Sequence, residues 1–555
     1  MGSFELQVSD EGGIAKRLWK KFKNERALAL YSPFAVCLAS GTLNPTSFIH
    51  CISQDVYFLQ AFAHAYELAE EYVDDEEDKE AIAGLRKRVM KRFRNQDSLI
   101  REWGFEPPKD RTCDAATVKY TEFLAETASG KVGEEKFSVK LVTPFEKTKL
   151  AAYTLSVISP CMRLYSFISK EIQARLDPDD GEHIYKKWLN SLSSVKFEAS
   201  ASRIEDLLDK LCVSLTSEEL DIVERLYHRA MNLELDFIWA QSSVQQSIVP
   251  FSRFLNNVED DLILFCDFDL TCTAIDSSAL LAELAILTTT NGYGPMPFAD
   301  IRTTWSDLFS QYVEEYQQCV ESIIHEAGID KSLQAEGLDY EGLFKALEKI
   351  SDFEKRANAR LIHSNALKGL KLSDIKRAGE RLDFQDGCKK FFQNVVEDKN
   401  CATKVHVLSY CWCSDLIKSA FSSGSLNALN IHSNDLVYQE SISTGGIIMK
   451  METPIDKLQA FNDITSKNNG RPLKIYIGGS LGDLLCLLEA DIGIVIDLST
   501  SLKSIANHFG VSFIPLFSGL IIKQRELAES GSINLKGTLY TVSNWDEIYA
   551  FFLGQ

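Results

Sequence analysis

Apolar residues recur at helical spacing through the first half of the chain. The segments SFIHCISQDVYFLQAFAHAYELAEEY and SRIEDLLDKLCVSLTSEELDIVERLYHRAMNLELDFIWAQ place apolar side chains three or four positions apart, with charged side chains between them. This period is typical of amphipathic helices that bury one face. Strand-like alternation is lacking there, and the charges and glycines from Gly130 to Pro144 predict a loop or an irregular insertion. The pattern therefore predicts an all-α region that ends near residue 245.

A different pattern begins after Pro250, where short apolar runs alternate with helical segments. The runs are LILFC, KVHVLS, KIYIGG, IGIVI and VSFIPL. Such alternation predicts a parallel sheet with helices on both faces. Between the first two runs, residues 276–400 have a mostly helical pattern, which predicts a helical cap over the sheet. The sequence ISTGGIIMK predicts part of a hairpin with Gly445 and Gly446 near its turn.

Two domains are expected, because a chain of 555 residues exceeds what one hydrophobic core usually serves. The weak pattern around Pro250 sets the boundary. We predict a helical domain over residues 1–245, a linker over 246–260 and an α/β domain over 261–555, with its cap at about 276–400.

Charge and cysteine content limit the partners and the compartment. The formal net charge of -20 argues against nucleic acid or an anionic membrane as the main partner. The 13 cysteines lack a regular spacing, which suits reduced thiols. No run reaches the roughly 18 apolar residues of a membrane span. The N-terminus MGSFELQVSDEGG has no signal or transit character. We expect a cytoplasmic protein as given, or a mitochondrial one if a longer precursor carries a presequence.

Two aspartates follow the apolar run that starts the second half. In LFCDFDLTCT, alternate residues Asp267, Asp269 and Thr271 start on one side of the predicted strand. Two carboxylates that lie close together raise each other's pKa unless a cation lies between them. The pattern therefore indicates a site for a divalent metal ion at the end of a buried strand.

This DxDxT pattern resembles the first motif of the haloacid dehalogenase (HAD) superfamily, and three later features extend the resemblance. Ser409 ends the run KVHVLS and matches the phosphate-binding residue of the second motif. Lys457 in TPIDKLQAF matches the cation of the third, and IYIGGSLGDLLCLLEADIGIVI resembles the fourth. Taken singly, Ser409 could be a strand-end hydrogen bonder and Lys457 a surface residue. The ordered set implies a HAD Rossmann-like α/β domain with a helical cap.

The HAD resemblance implies hydrolysis of a phosphomonoester through an aspartyl-phosphate. Asp267 is the expected nucleophile, Asp269 the general acid and base, and Thr271 a substrate-binding residue. One departure concerns the metal: the fourth motif usually begins Gly-Asp, but this chain has glycine at Gly479. Asp483 is then the acid expected to bind Mg²⁺ together with the first two aspartates.

The helical half resembles the TenA/thiaminase II family, whose helical bundle has the haem-oxygenase-like fold. The matching stretches are SQDVYFLQAFAHAY, SPCMRLYSFISKEI, HIYKKWL and LELDFIWA. The resemblance implies a pocket for the aminopyrimidine part of thiamin and its breakdown products. Relatives commonly self-associate, which predicts a homo-oligomer.

Four residues carry the family's site onto this sequence. Asp55 matches the acid that binds the aminopyrimidine, Cys161 the nucleophile, Glu234 the proton-exchanging acid and Tyr120 a pocket tyrosine. A cysteine on an apolar helix is otherwise most often a core residue. Leu192 stands where the family usually has a tyrosine, which removes a hydrogen bond from the pocket.

The two halves together resemble a family of fused plant enzymes of thiamin metabolism. That resemblance implies a phosphatase for thiamin monophosphate joined to an aminopyrimidine hydrolase, both acting on small molecules. Two alternatives remain open. The HAD half could act on another small phosphomonoester, and the TenA half could be a non-catalytic pyrimidine-binding or oligomerising module.

Overall fold

The chain divides into two compact units in a computed structural model. The first unit runs to Pro250 and includes Gln524–Gly531 and Gly554–Gln555, while the second comprises Phe251–Lys523 and Ser532–Leu553. The domain limits predicted from the sequence stay predictions. The structure describes residues 12–132, 135–136, 144–176, 183–241, 246–256, 262–290, 298–329, 337–398, 403–422, 426–427, 429–467, 472–533 and 538–555.

The first unit is built from helices whose starts are fixed by polar caps. Asn44 accepts a 2.8 Å hydrogen bond from the Thr46 amide at the start of the fourth helix. Thr216 and Glu219 form a reciprocal capping box before the eleventh. The helices are α1 (Ile14–Lys21), α2 (Lys23–Leu30), α3 (Pro33–Ser40), α4 (Pro45–Tyr72), α5 (Glu76–Arg94), α6 (Gln96–Glu102), α7 (Ala115–Ala128), α8 (Pro144–Gln173), α9 (Lys186–Leu192), α10 (Val195–Cys212) and α11 (Ser217–Ala240).

A short hairpin interrupts the helical pattern of the first unit. Strand β1 (Lys131–Val132) pairs antiparallel with β2 (Glu135–Lys136). Of the two alternatives predicted for Gly130 to Pro144, the short hairpin agrees with an irregular insertion and not with a plain loop, because two-residue strands are too short to show alternation in the sequence. Residues 133–134 and 137–143 of that stretch lie outside the described residues.

The second unit contains a parallel sheet in the order β11-β12-β10-β9-β3-β5-β6. The five runs predicted as strands all contribute to it. The two missed strands have three and four residues, too few for a clear pattern. Its strands are β3 (Leu262–Cys266), β5 (Thr403–Leu408), β6 (Asn430–His432), β9 (Leu473–Gly478), β10 (Ile492–Ile496), β11 (Phe513–Pro515) and β12 (Leu539–Val542).

Helices cover this sheet, and the insertion after β3 is mainly helical as predicted. The cap also contains one strand, Lys368–Lys371. Leu343 and Leu347 of the cap lie in the same hydrophobic cluster as Phe265 of the sheet. The helices are α12 (Phe251–Asn256), α13 (Ser277–Thr290), α14 (Phe298–Ile329), α15 (Tyr340–Ser364), α16 (Leu372–Glu380), α17 (Cys388–Glu397), α18 (Ser414–Ala420), α19 (Pro454–Ser466), α20 (Leu484–Glu489), α21 (Thr500–His508), α22 (Leu516–Ser530) and α23 (Trp545–Phe552).

A second sheet in this unit contains the predicted hairpin, but its turn lies elsewhere. The strand order is β4 (Lys368–Lys371), β8 (Ile442–Ile448) and β7 (Asp435–Gln439), all antiparallel. Glu440 and Ser441 form the turn with φ of 50° and 64°. Gly445 lies inside β8 with φ of 91°, near an irregularity in the pairing with β4. The two glycines predicted near the turn therefore lie within strand β8.

The predicted fold class is confirmed, with a helical region followed by an α/β region built on a parallel sheet. Among the described residues, no helix has the length and apolar character needed to cross a membrane.

Asn434 fixes the loop after β5 to the segment before α19. It is fully buried, donates to the carbonyls of Tyr410 (3.0 Å) and Met451 (2.8 Å), and accepts from the amides of Lys450 (2.7 Å) and Met451 (2.9 Å). We expect Asn434→Ala to lower the free energy of unfolding of this unit by about 3 kcal/mol, since it leaves buried groups unpaired. Urea denaturation measures the change. The exposed Asn430, which donates one bond, is the control as Asn430→Ala. Equal effects of the two variants would contradict the prediction.

Candidate active sites

A cavity of about 160 Å³ lies among the helices of the first unit. Asp55 on α4, Cys161 on α8 and Glu234 on α11 all line it, so three of the predicted residues meet there. Aromatic and aliphatic side chains form most of the remaining wall, among them Phe58 and Tyr165. A site with apolar walls and a few polar groups suits a flat heteroaromatic ring.

Tyr120 lies behind the cavity rather than on its wall. It is fully buried, its hydroxyl donates to the Val157 carbonyl at 2.9 Å, and it is not among the residues that line the cavity. Its nearness lowers the pKa of Glu234. The predicted role of Tyr120 in binding substrate stays a prediction. In the structure its hydroxyl bonds to the backbone of α8.

Glu234 and Cys161 form the reactive pair of this cavity. Burial raises the pKa of Glu234 to about 7, although the nearby thiol of Cys161 lowers it. Burial and the neighbouring Glu234 raise the pKa of Cys161 well above its usual range. Within the described residues, Oε1 of Glu234 is buried without a hydrogen-bond partner. Near neutral pH the carboxyl group can therefore take or give a proton, while the thiol holds its own.

Asp55 has a partner that the sequence did not reveal. Arg92 on α5 lines the cavity and donates to Oδ2 of Asp55 at 2.9 Å. Burial raises the pKa of Asp55, and Arg92 acts against that rise. The spacing of Arg88 and Arg92, one turn apart on α5, was the available signal, since both line the cavity. Leu192, the departure from the TenA pattern, also lines it.

The second unit places its predicted residues at the carboxyl end of β3. The backbone amide of Asp267 donates to the Ile477 carbonyl of the neighbouring strand β9 at 2.9 Å. The Thr271 hydroxyl lies 3.4 Å from Oδ2 of Asp267. Leu270 has a positive φ of 58°, which turns the chain out of the strand. The first motif therefore turns away from the sheet just after the carboxyl end of β3, where the hydrogen bond to β9 holds the backbone of Asp267.

Lys457 is the centre of this site. Its ammonium lies 2.9 Å from Oδ1 of Asp267 and 2.8 Å from Oδ1 of Asp483, and its side chain is fully buried. The Tyr410 ring lies below the ammonium, with its centroid 4.2 Å away. A capping box at the start of α19, with Thr453 as the N-cap, fixes the turn that carries Lys457. A buried ammonium needs such counter-charges, which explains why this lysine is not a surface residue.

Asp483 is bound by donors from the protein. Tyr476 donates to its Oδ1 at 2.7 Å, and Oδ2 accepts from the Ser480 hydroxyl (2.6 Å), the Ser480 amide (2.9 Å) and the Gly479 amide (3.2 Å). Although burial opposes it, Lys457 and these donors hold the pKa of Asp483 below its usual value. Ser480, which the sequence analysis missed, was signalled by its capping-box spacing to Asp483. The carboxylate thus serves to anchor Lys457.

Asp269 points to a different set of donors. Its Oδ1 accepts from the Ser277 amide at 2.7 Å, and its Oδ2 accepts from the Ser277 hydroxyl at 3.0 Å and the Ser409 hydroxyl at 3.4 Å. Burial and the charges of Asp276 and Asp267 raise its pKa, while Ser277 lowers it. Burial and the Asp483 charge likewise raise the pKa of Asp267, and Lys457 opposes them. Asp269 is therefore suited to hold a proton near neutral pH.

The three predicted metal ligands are all hydrogen-bonded to protein groups. Asp269 faces Ser277 and Ser409, and both oxygens of Asp483 are bound by protein donors. Across the described ranges, no three His, Cys, Asp or Glu side chains are arranged to hold a metal ion. The assignment of Asp267, Asp269 and Asp483 as metal ligands therefore stays a prediction.

Gly479, where the HAD pattern has an aspartate, lies in a closely packed turn. A Cβ atom added there would lie 2.4 Å from the Ile496 carbonyl oxygen of the neighbouring strand. Contacts this short do not occur in folded proteins, so a side chain at this position requires the turn to move. The missing carboxylate is thus accompanied by a backbone packed for glycine.

A family model and a curated relative both match this chain. The model of the TENA/THI-4/PQQC family matches residues 23–243. The chain is 51% identical over 569 residues to a protein of Arabidopsis thaliana named "Bifunctional TH2 protein, mitochondrial", and the match covers 100% of this chain and 91% of that protein.

Solved structures resemble each half at low sequence identity. A TenA homologue from P. horikoshii has 18% identity, covers 41% of this chain and 100% of its own, and has a TM-score of 0.33. A phosphoserine phosphatase with a phospho-aspartyl intermediate analogue has 15% identity, covers 53% of this chain and 100% of its own, and has a TM-score of 0.30.

The raised pKa of Glu234 makes stability depend on pH. The folded chain keeps this proton up to about pH 7, whereas the unfolded chain releases it near 4.5, so the free energy of unfolding falls as pH rises through that window. We expect Glu234→Gln to remove up to about 3 kcal/mol of this fall. Urea denaturation at pH 5 and pH 8, below and above most of the window, measures it. Glu218→Gln, at an exposed position of α11, is the control. An unchanged pH dependence in Glu234→Gln would show that the carboxyl group titrates normally.

Proposed function

The chain belongs to the family of bifunctional TH2 proteins, and we propose that each of its two units carries one hydrolytic site of thiamin metabolism. The second unit hydrolyses thiamin monophosphate to thiamin and phosphate. The first hydrolyses aminopyrimidine breakdown products of thiamin to hydroxymethylpyrimidine. The observation that carries the phosphatase assignment is the buried Lys457 between Asp267 and Asp483, with Asp269 and Ser409 beside it.

In the phosphatase site, Asp267 attacks phosphorus in line and forms an aspartyl-phosphate while the bond to the alcohol oxygen breaks. Asp269 gives its proton to the departing oxygen, then takes one from the water that attacks the intermediate. The second attack releases phosphate and restores the Asp267 carboxylate. Lys457 offsets negative charge at the phosphoryl group, and Ser409 donates to it. The raised pKa of Asp269 supports its first role.

Mg²⁺ remains part of the proposal for this site. HAD-type chemistry calls for it, but Asp483 is engaged with Lys457 and other donors. Of the predicted ligands, Asp267 has the less engaged oxygen, Oδ2, which accepts a 3.4 Å bond from Thr271. Mg²⁺ often binds through one or two carboxylates plus substrate phosphate and water. None of the steps assigned to the aspartates above depends on a metal ligand set.

In the helical unit, Cys161 adds to the electron-poor pyrimidine ring after its proton passes to Glu234. Glu234 then gives that proton to the departing amine as the exocyclic C–N bond breaks. Water adds to the exocyclic carbon and loses a proton to Glu234, and the bond between Cys161 and the ring then breaks, which restores the protonated thiol and releases the hydroxymethyl compound. Asp55 binds the aminopyrimidine, which requires Arg92 to share or release that carboxylate. The high pKa of the Cys161 thiol supports a mechanism in which Glu234 acts as its base.

The compartment and the oligomeric state of the protein also belong to the proposal. The relative's name describes a mitochondrial protein, and the same compartment is the natural proposal for this chain, while the cytoplasmic expectation stays a prediction. Self-association into a homo-oligomer also stays a prediction.

The phosphatase assignment predicts that Asp267→Asn abolishes hydrolysis of thiamin monophosphate, because the amide cannot act as the nucleophile. Release of phosphate by the full chain should fall by at least about a thousandfold, while aminopyrimidine hydrolysis survives. Asp463→Asn, at an exposed position of α19, is the control. Retained phosphatase activity in Asp267→Asn would exclude this nucleophile, and loss of both activities would argue against two independent sites.

In the helical site, Cys161→Ala and Glu234→Gln should impair aminopyrimidine hydrolysis and leave the phosphatase activity unchanged. Each variant should reduce aminopyrimidine hydrolysis by about a hundredfold or more, because nucleophile and proton carrier act together. Chromatography of the pyrimidine products measures the rate. The exposed Cys113 provides the matched variant Cys113→Ala, which should retain activity. If both site variants hydrolyse the aminopyrimidine at the wild-type rate, the helical unit is a binding or oligomerising module.

A further inference from the structure

A group of aromatic and acidic side chains joins the cap to the phosphatase site within the second unit. Trp412 lies in the loop that follows β5, three residues after Ser409, and its indole N–H donates to Oδ1 of Asn358 on α15 at 3.0 Å. Its ring also lies beside that of Trp305 on α14, with centroids 6.4 Å apart and an interplanar angle of 35°. The loop that carries the phosphate-binding serine therefore touches both long helices of the cap.

Glu354 adds a carboxylate to this group. It lies one turn before Asn358 on α15, and its Oε1 accepts a 2.9 Å hydrogen bond from the Tyr312 hydroxyl of α14. Tyr312 lies two turns after Trp305, so these two side chains share one face of α14, as Glu354 and Asn358 share one face of α15. We call Trp305, Tyr312, Glu354 and Trp412 the cap cluster.

The cap cluster contains a carboxyl group without a cation beside it. Burial and the charge of Glu452, just before α19, raise the pKa of Glu354 to about 7, although the hydrogen bond from Tyr312 lowers it. Across the described ranges, no lysine or arginine forms an ion pair with Glu354. The indole N–H of Trp305 is buried and finds no partner among the described residues. A cation that binds beside Glu354 would lower this raised pKa, so the carboxyl group would ionise and balance the charge of the ligand.

The cap cluster adjoins the groups that act on the phosphate. Ser409, from which the loop leads to Trp412, lies 3.4 Å from Oδ2 of Asp269. Tyr410, between them in sequence, packs under the Lys457 ammonium. The negative charge of Asp276 raises the pKa of both Asp269 and Tyr312. A phosphate ester held at Asp267 would therefore extend its alcohol part towards the cap cluster.

We propose that the cap cluster binds the alcohol part of the substrate and selects a positively charged aromatic ring there. The inference rests on the proposed phosphatase function and deepens it. Aromatic faces attract a flat cation through their π electrons, and the Glu354 carboxylate balances its charge where water is largely excluded. Asp276 and Glu452 add negative potential on either side. An anionic alcohol is repelled by the same charges, so the cluster also rejects acidic phosphate esters.

The experiment is a calorimetric titration of the full chain with two ring compounds that lack both phosphate and aminopyrimidine. One is the N-benzylated hydroxyethyl-methylthiazolium cation, and the other is the uncharged hydroxyethyl-methylthiazole. The wild-type chain should bind the cation at least about tenfold more tightly than the neutral ring. Glu354→Gln keeps a partner for the Tyr312 hydroxyl but removes the charge, and should abolish that preference.

Controls locate the effect in the cap cluster. Glu348→Gln changes an exposed carboxylate of the same helix and should keep the tenfold preference. Trp412→Leu should weaken binding of the cation, and its thermal unfolding must match that of the wild type for the comparison to count. The inference is overturned if the wild type shows no preference, or if Glu354→Gln retains it. Because binding is measured without turnover, failure to hydrolyse thiamin monophosphate would contradict the proposed function alone.

Discussion

The buried ammonium of Lys457 is the interaction on which the phosphatase half depends. It holds together Asp267 after β3, Asp483 after β9 and its own helix α19 in one ion-paired group. A charge buried this deeply is stable only with its partners, and removal of one costs about 3–5 kcal/mol in comparable proteins. The strand ends, the capping box of α19 and the turn at Ser480 all serve to keep those partners in place.

The helical half solves the same problem of buried charge in a different way. No ammonium neutralises Glu234 within the described residues; instead its pKa rises to about 7, and the carboxyl group can hold a proton. Asp55 does have a cation, Arg92, but that pair lines the cavity and is open to exchange with a ligand. One unit thus keeps a fixed ion pair, while the other keeps a carboxyl group whose pKa of about 7 lets it both take and give a proton. These are the states that phosphoryl transfer and amine release require.

Much of this arrangement could be predicted from the sequence, and the rest depended on packing. The buried strand before Asp267 and the long amphipathic helices were readable because hydrophobic period reports burial directly. The ion pair between Lys457 and Asp483 could not be predicted, because the spacing of residues along the sequence does not show which donor each oxygen of Asp483 faces. The closely packed turn at Gly479 also came from the neighbouring strand, through the Ile496 carbonyl. Arg92 was missed because an arginine on a surface helix usually faces water.

Membership of the TH2 family makes the chain a bifunctional hydrolase. The substrate of its phosphatase site is the central claim to test. The most direct measurement is kcat/KM of the wild-type chain, with Mg²⁺ present, for a set of phosphate esters that includes thiamin monophosphate, a sugar phosphate, pyridoxal phosphate and flavin mononucleotide. The carboxyl group and aromatic rings of the cap cluster predict a clear preference for thiamin monophosphate, the ester with a cationic ring. Equal or faster hydrolysis of the uncharged or anionic esters would contradict it.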